Sequence, residues 1–176
     1  MPSMKNSQIP IRRRQAREWA VQLLFQLDFD SSLDVETMFE SFWEQQWHTI
    51  ANQIKDETGA SPLPPESSNE AADVVAPARI RSTVEYFVKG VLQHRDEIDE
   101  RIAAYVQNWS VNRMAVVERN VLRLAFFEIF YSDQTPPVIV LNEAIDIAKY
   151  YSNTGAGRFI NGILDRAIKE KAKTAK

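Results

Sequence analysis

The stretch NRMAVVERNVLRLAFFEIFY, residues 112–131, decides the fold class. Its apolar residues lie on nearly every side of the helix that their spacing predicts. A helix that is apolar all round is buried at the centre of a protein. We therefore predict a central helix from about Arg113 to Tyr131, with the rest of the chain packed around it. Arg123 and Glu128 interrupt its apolar surface, and we expect structural pairing there rather than catalysis because buried charges need partners.

Six further segments have the apolar spacing of amphipathic helices. They cover about residues 12–27, 33–54, 80–92, 98–106, 136–151 and 159–168. The run VIVL, residues 138–141, would also suit a short strand because it is rich in β-branched side chains. The sequence EAIDIAKYY that follows favours a helix. The chain is therefore predicted to be all-α, with about seven helices.

Residues 56–77 break the helical pattern. They are rich in Pro, Ser, Glu and Ala, a composition that is typical of a disordered surface insertion. The chain has 176 residues, which fits one domain or two small subdomains that share a core. We therefore predict a single domain over residues 1–176 with a disordered insertion at 56–77.

Composition removes several classes of function. The chain has no Cys, which excludes disulfides, cysteine nucleophiles, iron–sulfur clusters and thiolate zinc sites. Its two histidines, His48 and His94, are far apart in the sequence and form no pair at metal-ligand spacing. The glycines of NTGAGRFING, residues 153–162, match neither a P-loop nor a dinucleotide fingerprint. We expect no enzyme activity, no cofactor and no metal site.

No apolar run is long enough for a membrane span, and the N-terminal segment lacks the apolar core of a secretory signal. A chain without Cys and without such a signal is expected in the cytoplasm.

The charge is distributed unevenly along the chain. The net charge is −3, yet residues 1–27 carry five basic side chains against Glu18 alone. Residues 28–73 carry eleven acidic side chains and one basic side chain. Arg13 and Arg17 are four apart and share a helix face, so the basic cluster belongs to a packed helix on which fixed guanidinium groups could hold phosphates. The alternative is that the cluster is a solvated, disordered tail.

Three segments together resemble the NusB family of transcription antitermination factors. They are RRRQAREWAVQLLFQLD (residues 12–28), NRMAVVERNVLRLAFFEIFY (112–131) and PPVIVLNEAIDIAKYYSNTGAGRFINGILD (136–165), the last with the NEA and FING elements at the family spacing. The resemblance covers nearly all of the chain except residues 56–77 and both tips.

The resemblance implies a fold of two packed helical subdomains, here about residues 12–94 and 95–172. It implies no catalysis. It implies binding to the boxA element of nascent ribosomal RNA together with NusE, a small-subunit ribosomal protein, within the RNA polymerase antitermination complex. It leaves open a monomer or a homodimer formed through the RNA face.

The resemblance also assigns residues to these contacts. The expected RNA-binding residues are Arg12, Arg13, Arg14, Arg17, Tyr151, Arg158 and Phe159. Phe25 and Glu118 match positions at the interface with NusE. Two alternatives stay open: Phe159 could be plain core, and Glu118 could form an internal salt bridge. Asn142 and Asn161 match motif positions and are expected to be structural, with hydrogen bonds across helices or at loop ends.

The chain departs from the family pattern at Gly155 and Ala156, where acidic and Ser residues are usual, so RNA contacts by this loop are in question. Two alternative functions remain. One is a helical protein–protein adaptor without RNA binding. The other is an RNA-binding module of an rRNA-modification system.

Overall fold

The structure is a computed structural model that describes residues 8–106, 110–153 and 155–175, with side chains from residue 13 onward. In this part of the chain the secondary structure is helical throughout. The helices are α1 (Gln8–Phe29), α2 (Val35–Thr58), α3 (Ser68–Val75), α4 (Ala78–Gln93), α5 (Arg95–Tyr105), a 3₁₀ helix (Val111–Arg113), α6 (Val116–Phe130), α7 (Pro137–Tyr151) and α8 (Ala156–Thr174). The all-α prediction is confirmed, with eight α-helices in the described residues where about seven were expected.

Helix α6 lies at the centre of the fold, as its sequence predicts. Every residue from Asn120 to Ile129 is buried. The helices α1, α4, α5, α7 and α8 all pack against it. Gly90 marks the crossing of α4 and α6, since a Cβ at this position would collide with the ring of Phe127. One contiguous apolar cluster joins all of these helices, and the division into two subdomains stays a prediction.

Helix α1 packs against α4 and α6, and its two ends are held by different ion pairs. At its C-terminal end Asp28 is 5% exposed and receives hydrogen bonds from Asn120 and from three arginines. These arginines are Arg95, Arg119 and Arg123. Burial by itself would raise the pKa of Asp28, but the hydrogen bond from Asn120 and the charges of Arg123 and Arg119 outweigh burial and lower the pKa. These contacts of Asp28 connect the end of α1 to the start of α5 and to the first half of α6.

The expected structural partners of the two charged residues in α6 are confirmed. Arg123 donates bidentate hydrogen bonds to Asp99 at 2.8 and 2.7 Å, in addition to its contact with Asp28. Glu128 is paired with Arg17 of α1. The two residues of α6 therefore have separate partners, on α1 and α5 for Arg123 and on α1 for Glu128.

The segment predicted to be disordered contains a helix. Helix α2 continues to Thr58 and ends at Gly59, whose φ of 73° is in the left-handed region. Helix α3 then begins after Ser67, whose side chain accepts a hydrogen bond from the backbone of Glu70. Ala71 and Ala72 are buried where α3 packs on α2. The prediction failed because α3 buries small alanines, which produce no strong apolar periodicity.

Helix caps explain how the remaining boundaries arise. Asp34 caps α2, with its carboxylate accepting from the backbone N–H of Thr37 at 2.9 Å. The side chain of Asn153 accepts from the backbone N–H groups of Gly155 and Ala156, and α8 begins there. Thr154, which lies between them in the sequence, is outside the described residues.

The VIVL run, residues 138–141, is helical, as the sequence EAIDIAKYY after it predicts. Pro137 precedes it in the first turn of α7, where the missing N–H of proline costs nothing.

Within the ranges that the structure covers, no helix is both long and apolar enough to cross a bilayer.

Candidate nucleic-acid interface

The arginines near the start of α1 have different environments, although they are adjacent in the sequence. Arg13 is exposed, Arg14 is partly exposed and Arg17 is buried. The side chain of Arg12 is outside the described residues. The helix turns by about 100° per residue, so neighbouring side chains face different surroundings. The cluster therefore does not act as one uniform basic patch.

Arg17 belongs to the interior, which changes its expected role. Its side chain is 4% exposed, and its Nε and one terminal nitrogen each lie 2.8 Å from a carboxylate oxygen of Glu128. The same nitrogen is 3.4 Å from the hydroxyl of Thr135. Turning Arg17 away from this bidentate pair to hold a backbone phosphate would leave Glu128 buried without its partner. We therefore expect Arg17 to act structurally and not as a phosphate contact.

Arg14 is accessible but already paired. Its side chain is 41% exposed and donates to both oxygens of Glu143, at 2.9 and 3.0 Å, and to Asp146 at 2.7 Å. The hydrogen bonds that Arg14 donates to Glu143 raise the pKa of Arg14. Both carboxylates come from α7, so Arg14 joins α1 to α7. A phosphate would have to compete with two carboxylates for this guanidinium.

Arg13 lies at a cavity of about 260 Å³ that sequence reasoning did not find. We call it the Arg13 cavity. Arg79 at the start of α4 and Gln134 in the loop between α6 and α7 line it as well, and both are exposed. The described residues that line it include no carboxylate. No local pattern could have revealed this grouping, because its members come from three distant parts of the sequence.

A second group of expected residues meets at another groove. Glu118, Arg158 and Phe159 line a depression of about 640 Å³ between α5, α6 and α8, which we call the α8 groove. Arg158 is exposed and Phe159 is half-buried. The carboxylate of Glu118 accepts a hydrogen bond from the hydroxyl of Ser152 at 3.0 Å. The structure therefore places an aromatic ring and a cation beside the end of α7.

Tyr151 connects this end of α7 to α1. Burial raises its pKa, and the negative charge of Glu18 raises it further. Glu18 is one helical turn after Arg14, and burial raises its pKa as well, against the charge of Arg14. Tyr151 therefore lies close to the partly exposed arginine, on the same side of α1.

Phe25 forms part of an aromatic pair near the end of α1. Its ring centroid is 4.8 Å from that of Phe29, and Phe29 is 71% exposed. The family resemblance named Phe25, whereas Phe29 lies beyond the predicted first helix, which ended at about residue 27, and was missed. Phe25 is half-buried, and an aromatic pair with one exposed ring is typical of a surface that contacts a partner.

Asn142 and Asn161 do not take the expected cross-helix roles. Both are exposed, and neither forms a hydrogen bond with another side chain that the structure describes. No group of three His, Cys, Asp or Glu residues within the described ranges could hold a metal ion.

Comparisons with known proteins assign the family. The model of the NusB family matches residues 46–169. The chain belongs to the NusB family. A NusB transcription antitermination protein of Methylacidiphilum infernorum is 32% identical over 165 residues, covering 94% of this chain and 96% of the relative. The corresponding protein of Symbiobacterium thermophilum is 35% identical over 157 residues and covers 89% of each chain.

Solved structures agree with the NusB assignment. T. maritima NusB is 30% identical, covers 90% of this chain and 91% of its own, and superimposes with a TM-score of 0.68. A structure described as antitermination factors NusB and NusE in complex with dsRNA shares the fold, with 22% identity, a TM-score of 0.65, and coverage of 91% and 98%. Transcription antitermination is thus the function of the relatives that this NusB-family chain matches along most of its length.

Proposed function

We propose that this chain is a transcription antitermination factor that binds boxA RNA of nascent ribosomal transcripts together with NusE, as part of the RNA polymerase complex. The observation that carries the proposal is the exposed pair Arg13 and Arg79, at a cavity whose described lining includes no carboxylate. Guanidinium groups hold backbone phosphates through charge-assisted hydrogen bonds. The proposed role is binding in the cytoplasm, with no catalytic step and no cofactor.

The proposed RNA contacts are graded by their accessibility. Arg13 contacts phosphate directly, with Arg12 beside it in the sequence. Arg14 contributes only when a phosphate displaces Glu143 or Asp146 from its guanidinium. Arg17 contributes indirectly by holding α1 in place.

Aromatic groups provide the second part of the proposed RNA surface. Single-stranded RNA is read largely by stacking its unpaired bases on aromatic rings. Tyr151 is exposed at the end of α7, and Phe159 is half-buried at the α8 groove beside Arg158. These side chains would receive bases of the strand whose phosphates reach α1. Gly155 and Ala156 provide no side chain for a polar contact in this loop.

The proposed surface for NusE is the aromatic pair of Phe25 and Phe29 together with Glu118. The exposed ring of Phe29 offers apolar area, and Glu118 provides a charge at the edge of the α8 groove. The structure described as a complex of NusB, NusE and dsRNA supports this division into two partners.

The experiment is RNA binding over a series of salt concentrations, with and without NusE. We expect tighter binding with NusE than without it. Arg13→Gln should weaken binding and reduce the salt slope by about 0.7, the value for one phosphate on a single strand. Lys55→Gln is the matched control, because Lys55 is exposed in the acidic part of the chain.

Two results would contradict the proposal. If NusE binds equally with and without RNA and the chain alone binds no boxA RNA, an adaptor role replaces it. If Arg13→Gln and Lys55→Gln have the same effect, Arg13 is not a contact. Light scattering with and without RNA tests whether a homodimer formed through the RNA face competes with RNA.

A further inference from the structure

The Arg13 cavity has a composition that phosphate binding alone does not explain. Exposed cations lie at its mouth, but its inner wall includes the buried side chains of Ile80 and Phe87 from α4. Thr83 and Thr135 add hydroxyl groups, and Gln134 adds an amide. A free phosphate would make no use of the apolar wall. Pockets with apolar walls and a few polar groups are typical of sites for organic ring systems.

The size of the cavity limits what it can hold. Its volume of about 260 Å³ is just below the range of roughly 300–1,000 Å³ that is usual for pockets of drug-sized ligands. A single small ring system fits this space, whereas a folded peptide segment does not. The volume and lining therefore suit a small planar group with polar edges.

The cavity is also preorganised. The guanidinium of Arg17 is held by Glu128 and lies 5.7 Å from the centroid of the Phe87 ring. Because two hydrogen bonds to the carboxylate of Glu128 fix the guanidinium of Arg17, this planar group loses little conformational entropy when a ligand binds. Guanidinium planes and aromatic rings are the surfaces on which unpaired RNA bases stack. The pair of Arg17 and Glu128 therefore shapes a wall without contacting phosphate.

We propose that the Arg13 cavity takes one unstacked base of the bound RNA strand, while Arg13 and Arg79 hold the phosphates on either side of it. The amide of Gln134 contains a donor and an acceptor for the edge of a base. The hydroxyl of Thr83 donates to the backbone carbonyl of Arg79 at 2.8 Å, so it offers the base an acceptor. Charge complementarity points to a nucleic-acid strand, since the described lining includes the exposed Arg13 and Arg79 and no carboxylate. This inference rests on the proposed RNA binding and adds a base-reading site to it.

The test is a set of boxA RNAs in which each nucleotide in turn lacks its base. For the parent chain we expect one position at which loss of the base weakens binding about tenfold, as for other stacked bases. Thr83→Leu fills the cavity and spares both flanking arginines. This variant should bind intact RNA about tenfold more weakly and should no longer respond to the missing base at that position.

Control variants separate the base from the phosphates. Arg79→Gln should weaken binding to intact and base-deleted RNA equally and reduce the salt slope for both. Gln134→Ala should weaken intact RNA selectively, whereas Gln93→Ala, at the exposed end of α4, should match the parent. Thermal unfolding of each variant confirms that it is folded.

The outcomes distinguish the inference from the function on which it rests. If the parent binds no boxA RNA at any salt concentration, the proposed function fails. If it binds RNA but Thr83→Leu still responds to each missing base as the parent does, the base site is overturned and RNA binding stands. If inorganic phosphate competes with RNA at this site while no missing base matters, the cavity is an anion site only, which also overturns the inference.

Discussion

Replacing Arg17 by methionine separates a structural arginine from an RNA-binding arginine. The side chains of Arg17 and Glu128 are 4% and 2% exposed, so neither charge has water as an alternative partner. Removing one member of a buried pair costs about 3–5 kcal/mol of stability because the other charge stays buried. For a chain of this size 1 kcal/mol shifts the Tm by about 2–4 °C. We therefore expect Arg17→Met to lower the Tm by roughly 6–20 °C.

The assay combines thermal unfolding, followed by circular dichroism, with RNA binding at a temperature where the variant is folded. Arg13→Met is the matched control, since Arg13 is exposed. It should change the Tm by only about 1–2 °C, as expected for a surface substitution, and should weaken RNA binding. The double variant Arg17→Met with Glu128→Leu should recover most of the lost stability because it leaves no unpaired charge.

One combination of results would refute this reasoning. If Arg17→Met melts within about 2 °C of the parent and reduces the salt slope of RNA binding by as much as Arg13→Met does, Arg17 contacts RNA directly. The buried position of its guanidinium would then not describe the protein that binds RNA.

Three further predictions follow from other contacts. Asp28→Asn should make stability less dependent on pH. Because the pKa of Asp28 is lowered in the fold, its carboxylate stabilises the fold above its unfolded pKa of about 3.9 and loses this effect as the pH falls through its folded pKa. Urea unfolding of parent and variant from pH 7 to 2 tests this, and stability curves that stay parallel would contradict it. Gly90→Ala should lower the free energy of unfolding, measured with urea, by about 1–3 kcal/mol, because its methyl group meets the ring of Phe127. Unchanged stability would show that α4 and α6 can move apart without loss of packing. Glu143→Gln combined with Asp146→Asn should release Arg14 from its carboxylate partners. In filter binding the double variant should have a higher affinity for boxA RNA and a salt slope steeper by about 0.7. Equal or weaker binding would mean that Arg14 does not reach RNA.

Local sequence patterns predicted the helices well where the buried side chains are large. The all-round apolar stretch of α6 identified the central helix, since the period of an α-helix can be read from any run that spans a few turns. Helix α3 was missed because Ala71 and Ala72 carry its burial. Small side chains between prolines and serines resemble a loop to any test that depends on apolar periodicity.

The site was only partly predictable, and the reason is geometric. The sequence identified a basic first helix and the segments around Tyr151 and Phe159. It did not identify Arg79 or Gln134, because the cavity combines residues from distant segments of the chain. It did not identify Phe29, because α1 continues beyond the predicted end of the first helix. The expected cross-helix roles of Asn142 and Asn161 did not follow from motif spacing either, since both are exposed.

The sequence alone determined that this chain is all-α, that one helix lies at its centre and that its first helix is basic. These properties depend on side chains within a few turns of each other, where helical geometry fixes the relation between position and direction. Only the tertiary structure decided which arginine is available to a ligand. Arg17 is paired with a residue 111 positions away, Arg14 is held by α7, and Arg13 opens onto a cavity formed by three segments. Burial and pairing depend on how helices pack against each other, and neighbouring residues on one helix face different partners.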